Sequence, residues 1–360
     1  MKKSILIGLG LAAIVATTIS CSKTDTITTT NSDFETLETT VLTDFSNIVA
    51  VPGYLQLDNA ANVLNTAITN LNGSATEANL TAAKTAWKNM RSIWEGCEGY
   101  LFGPVEDDNY DPNMDTWPTD YVQMDSLLSS SNSLSISNIE NITLSLRGYH
   151  PIEYIIFGNH GSRTAAAISA RQKLYMVSLS KDLKNTCHKL YTSWTAAPTN
   201  FAQQVIKAGA GSTVYAKKQE AYMAITEALI GICDEVGGGK MLEPYTAQDP
   251  SIVESPYSGN SVTDFRNNII GLQNVYLGKF GTQDGKGISD LVAMRNISLD
   301  NKLQSQMTAA INSFSNISMP YEDAIISQRV QCQQTMAALN TLKTTLEDEL
   351  KPFIVQYIKD

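Results

Sequence analysis

The segment LTAAKTAWKNMRSIWEGCEGYL, residues 80–101, decides the fold of this chain. Apolar and aromatic side chains recur along it at spacings of three and four residues, which is the period of one face of an α-helix. The residues of this stripe are Leu80, Ala83, Trp87, Met90, Trp94, Cys97 and Leu101. The segment therefore predicts a long amphipathic helix whose apolar face packs against other helices.

The same period runs through most of the chain and predicts further long helices. They cover residues 174–194, 214–236, 262–280 and 325–350. Two shorter helices, residues 34–49 and 60–71, are predicted to be separated around Pro52 and Gly53. Alternating β-branched runs, which are typical of strands, are scarce. The sequence therefore predicts an all-α fold.

Length and charge limit the class of protein further. A chain of 360 residues is long enough for about two domains of ordinary size, so we expect two helical domains packed side by side, residues 33–200 and 201–360. The net charge of −10 argues against a nucleic-acid partner and against electrostatic attraction to anionic lipid.

The N-terminus has the features of an export signal. Residues 1–20 combine two lysines with an apolar segment that is too short to span a membrane as a mature helix. Cys21 follows small residues as in a bacterial lipobox, and the Thr-rich segment 22–32 is typical of a tether. We therefore expect a lipoprotein that is lipidated at Cys21 and anchored to the outer membrane, on its periplasmic or cell-surface side. The alternative is an ordinary cleaved signal that leaves Cys21 as a free thiol.

Four further cysteines leave two alternatives open. They are Cys97, Cys187, Cys233 and Cys332. An oxidising compartment permits disulfides among them, with three possible connectivities. Most of them lie on apolar helix faces, where buried free thiols are equally compatible with the sequence.

The segment RGYHPIEY, residues 147–154, contains the best candidate for a functional site. His150 and Glu153 are three residues apart, a spacing that places both side chains on one face of a helix. Because proline fits the first turn, we expect His150 at the N-cap and Glu153 one turn in. An imidazole and a carboxylate together suit iron, zinc or manganese. The alternative is a local hydrogen bond without a function.

Charged residues also lie on the apolar stripe of residues 80–101. Arg91 and Glu98 share that stripe with two tryptophans, so we expect both to be buried and therefore paired or bound to a ligand. The alternative is an ion pair that fixes the register of the bundle. The proline- and glycine-rich segments 99–121 and 237–259 interrupt the helical pattern, and long irregular loops are often functional.

Taken together, these residues resemble the imelysin family over nearly the whole chain. The resemblance rests on the following residues: Trp87, Arg91, Trp94, Glu98, Phe102, Gly103, Pro104, Trp117, Pro118, Asp120, Arg147, Gly148, His150, Glu153, Glu254, Ser255, Pro256, Tyr257, Ser258, Asp264, Phe265, Val275, Tyr276 and Gly278. It implies two four-helix bundles with a site at their interface around His150 and Glu153. The other site residues that the resemblance implies are Arg91, Glu98, Trp117, Asp120, Arg147, Glu254, Ser255 and Ser258.

The resemblance implies two activities that conflict, because some family members were first described as secreted peptidases and others are similar to iron-uptake components. A zinc peptidase needs three protein ligands, an open position and a carboxylate base. The chain has no His-Glu-x-x-His segment, and only His160 and His188 could add a second imidazole.

A binding site needs less, and it is our leading hypothesis. His150 and Glu153, with one or two of Glu98, Asp120 and Glu254, would form a nitrogen and oxygen set that suits iron or another divalent metal. Arg91 and Arg147 would balance charge or hold a small anion that binds with the metal. We therefore expect metal binding for uptake, with a transporter or surface protein as a partner. The alternatives are a metallopeptidase and a surface lipoprotein that only contacts other proteins.

Overall fold

The computed structural model describes residues 31–359, and this part of the chain is almost entirely helical, which confirms the predicted all-α fold. Its α-helices are α1 Asn31–Asp44, α2 Val51–Gly73, α3 Glu77–Cys97, α4 Pro104–Asp107, α5 Tyr110–Asp115, α6 Tyr121–Ser129, α7 Ile136–Ile139, α8 Tyr149–Phe157, α9 Ala170–Thr195, α10 Phe201–Ile206, α11 Lys218–Asp234, α12 Leu242–Ala247, α13 Ser261–Leu277, α14 Ile288–Ser313, α15 Tyr321–Ser327, α16 Arg329–Thr345 and α17 Lys351–Tyr357.

Shorter elements connect these helices. There are π-helical turns at Phe45–Ala50, Glu235–Lys240 and Leu346–Leu350, and 3₁₀ turns at Glu98–Tyr100, Leu144–Leu146, Asn159–Gly161, Ala165–Ala167, Pro250–Ile252 and Phe314–Asn316. A small antiparallel hairpin joins α13 to α14, with strands β1 Lys279–Phe280 and β2 Gln283–Asp284, and Lys279 lies opposite Asp284.

The long helices pack in two groups around one continuous apolar core. In the first group α2 packs against α3 and α9, and α8 contacts α3 and α9. In the second group α14 packs against α13 and α16, and α11 contacts α13 and α16. Contacts between α3 and α13, and between α1 and α14, join the two groups. Because these contacts join the two groups, they do not mark a domain boundary, and the predicted boundary between residues 200 and 201 stays a prediction.

Helix α3 lies at the centre because its sequence specifies one buried face. The Thr76 hydroxyl caps its first turn by accepting a hydrogen bond from the Asn79 N–H. Trp87, Met90 and Trp94 are fully buried, as the stripe of residues 80–101 predicts. Burial of each such side chain contributes roughly 2–3 kcal/mol relative to exposure.

Gly271 brings the backbone of α13 into contact with the end of α3. A Cβ at Gly271 of α13 would lie 2.1 Å from the Gly96 carbonyl oxygen, so no other residue fits there. This approach carries Asn268 to the end of α3, where its side-chain amide donates hydrogen bonds of 2.7 Å to Glu95 and 2.6 Å to Glu98. The polar residues of both helix groups therefore meet at this junction.

The predicted break around Pro52 and Gly53 is wrong, because the chain is helical from Asn31 to Gly73. Pro52 comes just after the π-helical turn Phe45–Ala50, and the helix continues through this position into α2. Gly53 is needed for packing, because a Cβ there would lie 2.2 Å from the Tyr100 hydroxyl.

The predicted signal peptide, Cys21 and most of the predicted tether lie outside the described residues. Residues 31 and 32, the end of that tether, begin α1. Within residues 31–359, no helix combines the length and the hydropathy that crossing a membrane requires. The cysteines of this region are buried free thiols: Cys97, Cys187, Cys233 and Cys332.

Candidate metal centre

Glycine at position 148 determines where the imidazole of His150 lies. Helix α8 has Gly148 as its N-cap with φ 77°, so the expectation that His150 is the N-cap is wrong. A Cβ at Gly148 would lie 1.8 Å from the Met114 carbonyl oxygen. Only glycine allows this contact, and it places His150 next to Asp115 at the end of α5.

His150 is fully buried between carboxylates. Its Nε2 lies 3.0 Å from Asp115 Oδ1 and 3.9 Å from Glu254 Oε1, and its Nδ1 lies 3.8 Å from Glu153 Oε2. Nε2 is thus within ion-pair distance of Asp115, but neither ring nitrogen makes a well-formed hydrogen bond to a described residue. Buried polar atoms normally make such hydrogen bonds, so this imidazole keeps the capacity to bind a further group.

Three of these groups could hold a metal ion together. Asp115, His150 and Glu254 each offer a ligand atom, all within 4.8 Å of one another, and no other such cluster of three occurs in the described part of the chain. Asp115 comes from the irregular segment 99–121 and Glu254 from the segment 237–259. One nitrogen and two carboxylate donors suit iron, manganese or zinc.

Arg91 neutralises part of this negative charge. The guanidinium is fully buried and contacts Asp115 and Glu95, and its Nη2 lies 3.0 Å from Glu254 Oε1. Burial lowers the pKa of Arg91, but Asp115 and the other carboxylates outweigh it and hold that pKa well above its usual value. Arg91 therefore stays charged and keeps these side chains in place.

The pKa values around His150 follow from the same crowding. Burial lowers the pKa of His150, but the carboxylates of Asp115 and Glu153 outweigh it and raise that pKa to about 9. Burial raises the pKa of Asp115, but Arg91 and then His150 hold it well below its usual range. A cation that binds Nε2 at neutral pH must therefore displace a proton.

Trp117, Ser255 and Ser258 support the site without being part of the cluster of three. The Trp117 ring lies against the imidazole, with 4.7 Å between ring centroids, and its Nε1 donates to the Ile252 carbonyl. The Ser258 N–H donates to Glu153 Oε1 at 2.8 Å. The Ser255 hydroxyl donates to Asp264 Oδ2 at 2.7 Å, which fixes the segment that carries Glu254.

A cleft of about 390 Å³ leads to this cluster. We call it the acidic cleft, because its lining includes the carboxylates of Glu98, Asp111, Asp115, Glu235, Glu243 and Glu254. Burial, with the neighbouring charge of Glu95, raises the pKa of Glu98 well above its usual value. Burial and the charge of Asp115 raise the pKa of Asp111 to about 7. A cation would relieve this repulsion.

Two predicted site residues lie elsewhere. Both Nε and Nη2 of Arg147 donate to the Asp182 carboxylate at 3.0 Å, so this arginine is held in a buried ion pair away from the cluster. Asp120 is the N-cap of α6 and accepts a hydrogen bond from the Gln123 N–H. Each has a structural partner that explains its presence.

Neither of the other histidines joins the cluster. The His188 Nδ1 lies 3.1 Å from Asp58 Oδ2, and its side chain is 62% exposed. His160 lies in an exposed 3₁₀ turn. The described site therefore contains a single imidazole, whereas the common zinc peptidase sites hold two.

Sequence reasoning missed three polar residues of the site. Asp115 could have been found, because it lies beside Trp117 in an irregular segment that has an excess of acidic residues. Glu95 could also have been found, because it lies four residues after Arg91, the spacing of an ion pair on one helix face. Lys240 follows a run of glycines, which gives no local pattern that indicates a site.

Comparisons with known proteins identify the family and the fold that this chain resembles. The imelysin peptidase family profile matches residues 50–349. Iron-regulated protein A of Synechococcus elongatus is 29% identical over 355 residues, covering 97% of this chain and 93% of the relative.

Two crystal structures share the fold. A protein described as an iron-regulated protein A precursor, from Parabacteroides distasonis, has a TM-score of 0.81 and 23% identity, over 90% of this chain and 96% of the other. An imelysin-like protein from Psychrobacter arcticum has a TM-score of 0.72 and 14% identity, over 89% of this chain and 96% of the other.

Proposed function

The chain belongs to the imelysin family, and from that premise we propose that it binds a transition-metal cation, iron foremost, at Asp115, His150 and Glu254. The observation that carries the proposal is the fully buried His150 imidazole, which has two carboxylates beside Nε2 and no hydrogen bond on either nitrogen. The name of the Synechococcus relative connects that protein with iron regulation.

In this proposal Glu153 orients His150 instead of binding the metal. Its Oε1 already accepts the Ser258 N–H, and its Oε2 faces Nδ1, the nitrogen on the other side of the ring from Asp115. Histidines that bind metals usually donate their second N–H to a carboxylate, which fixes the tautomer and the ring orientation. The His-x-x-Glu spacing then provides one metal ligand, His150, and the carboxylate that orients it, Glu153.

The charge distribution favours a cation over an anion. The Arg147 guanidinium is paired with Asp182, and that of Arg91 contacts three carboxylates, so both are already compensated. The acidic cleft adds further carboxylates along the approach. A positively charged ligand is attracted to such a site, and a free anion is repelled.

We further propose that the protein works outside the cytoplasm as a lipoprotein anchored through Cys21, and that it passes the metal to a transporter or surface partner. The features of residues 1–32 in the sequence support this location. Mass spectrometry of the mature N-terminus tests it, because lipidation would be detected on Cys21. An unmodified Cys21 in membrane fractions would contradict the anchor.

Metal binding is tested on the untagged protein. Calorimetric titration with Fe²⁺ without oxygen, and with Mn²⁺, should show one equivalent bound by the wild type. H150A should lose at least 100-fold in affinity, whereas H188A, a change of the same kind at an exposed histidine, should bind like the wild type. Equal binding by H150A and the wild type would show that the metal binds elsewhere in the protein.

A further inference from the structure

The acidic cleft contains one ammonium group among several carboxylates. The Nζ of Lys240 lies 3.0 Å from Glu98 Oε2, 3.1 Å from Glu235 Oε1 and 3.8 Å from Glu95 Oε2. Its side chain is 12% exposed, so it lies at the boundary between the cluster and the solvent in the cleft. One positive charge is thus shared among more carboxylates than it can neutralise.

Lys240 also competes for an oxygen that a metal would need. Glu254 Oε1 lies 3.7 Å from Lys240 Nζ and 3.9 Å from His150 Nε2, and it also accepts from Arg91 Nη2 at 3.0 Å. The fully buried imidazole, which has no hydrogen bond among the described residues, therefore lies across this oxygen from the ammonium. A cation bound to both His150 and Glu254 would be repelled by an ammonium at that distance.

The backbone before Lys240 is a glycine-rich helical turn. Lys240 ends the π-helical turn Glu235–Lys240, and residues 237–239 are three consecutive glycines. A Cβ at Gly239 would meet nothing within 4 Å, whereas one at Gly237 would lie 3.3 Å from Leu339 and one at Gly238 would lie 3.1 Å from Asp234. Packing therefore does not require glycine at position 239. Glycine in a helix costs about 1 kcal/mol relative to alanine, and π-helical turns are frequent at functional sites. The glycines give this turn a freedom that other residues would remove.

We propose that the ammonium of Lys240 is a resident competitor for the incoming cation: it binds Glu98 and lies beside Glu254 in the free protein, withdraws when a metal binds, and thereby determines which cations the site accepts. The inference rests on the proposed metal site. A monovalent ion gains too little from the carboxylates to displace the ammonium, whereas a divalent or trivalent ion gains more. Lys240 is therefore a specificity-determining residue.

The first test compares metal affinities of three forms of the full-length protein. Mn²⁺ is titrated into the wild type, K240M and K343M, with bound metal measured by electron paramagnetic resonance. Lys343 pairs with Asp234 at 2.7 Å outside the cleft, so K343M removes the same charge without changing the site. We expect K240M to bind Mn²⁺ at least tenfold more tightly than K343M. Equal or weaker binding by K240M would overturn the inference.

The second test uses the wild type, so it remains decisive even where K240M fails to fold. Lysine acylation is followed by mass spectrometry with and without saturating Mn²⁺. Acylation of Lys240 should become at least threefold faster with the metal, while that of Lys343 stays constant. An unchanged or slower rate at Lys240 would refute the withdrawal.

These tests separate the inference from the proposed function. If Mn²⁺ binds the wild type but not H150A, and K240M gains nothing, only the role of Lys240 is refuted. If the wild type and K240M both fail to bind Mn²⁺ or Fe²⁺, both proposals are refuted together.

Discussion

Replacing Glu153 with glutamine tests whether this residue orients His150. The fully buried carboxylate accepts the Ser258 N–H with Oε1 and lies 3.8 Å from His150 Nδ1 with Oε2. Glutamine keeps the size and can still accept from Ser258, but its amide group then faces the Nδ1–H of a metal-bound imidazole. A donor would therefore face a donor.

The distance sets the size of the effect. A carboxylate and a full positive charge separated by 3.8 Å attract each other by about 4 kcal/mol at an effective dielectric constant of about 20. The metal-bound ring carries only part of that charge, and burial of the carboxylate opposes the gain. Loss of such a supporting carboxylate typically costs 10–100-fold in metal affinity, or about 1.4–2.8 kcal/mol.

Calorimetric titration with Mn²⁺ measures this change, with E322Q as the matched control. Glu322 is also a buried glutamate, but it is not part of the metal cluster. We expect E153Q to bind 10–100-fold more weakly than the wild type and E322Q to bind equally well. A loss of Mn²⁺ affinity as large as that of H150A would show that Glu153 binds the metal directly. Unchanged affinity would show that Glu153 has no role in the site.

Three further predictions concern stability. Burial raises the pKa of Glu322 from its ordinary 4.5 to about 7. The folded state therefore binds this proton more tightly than the unfolded state, and the wild type loses stability as the pH rises between these values. In urea unfolding, E322Q should gain about 2 kcal/mol relative to the wild type between pH 5 and pH 8, with partial solvent screening included. R147M should destabilise the fold by about 3 kcal/mol, because Asp182 is left buried and unpaired, without changing Mn²⁺ affinity. G148A should cost at least about 2 kcal/mol and weaken Mn²⁺ binding, because its Cβ would collide with the Met114 carbonyl.

Each of these predictions has a result that contradicts it. A pH-independent difference between E322Q and the wild type would mean that Glu322 ionises normally in the folded protein. A large loss of Mn²⁺ affinity in R147M would show that Arg147 contributes to the metal site. Wild-type stability in G148A would show that α5 and α8 do not need their close contact.

The sequence predicts most of the long helices, because burial of one helix face leaves a period of apolar residues that is visible over twenty residues. It misses α14, and the predicted helix 325–350 is divided at Gln328 between α15 and α16. Helix α3 follows the stripe of residues 80–101 closely. The predicted break at Pro52 fails because a π-helical turn, Phe45–Ala50, precedes the proline and the helix continues past it, and the sequence does not show where such a turn forms.

Partners of charged residues are harder to predict than their burial. Arg91 and Arg147 both lie in apolar segments, and the expectation that each is buried and compensated is met. Their carboxylates lie far along the chain, at Glu254 for Arg91 and at Asp182 for Arg147. Only the packing of α3 against α13 and of α8 against α9 decides which arginine reaches the metal cluster, and no local pattern encodes that packing.

The three proposed ligands come from three separate parts of the chain, two of them irregular. An ion held by Asp115, His150 and Glu254 would act as a cross-link between the segments 99–121 and 237–259. Saturation at 100 times the dissociation constant would add about 2.7 kcal/mol to the stability of the loaded form. Resistance of these two segments to proteases would then report whether cargo is present, and a receiving protein could distinguish the full carrier from the empty one by their rigidity.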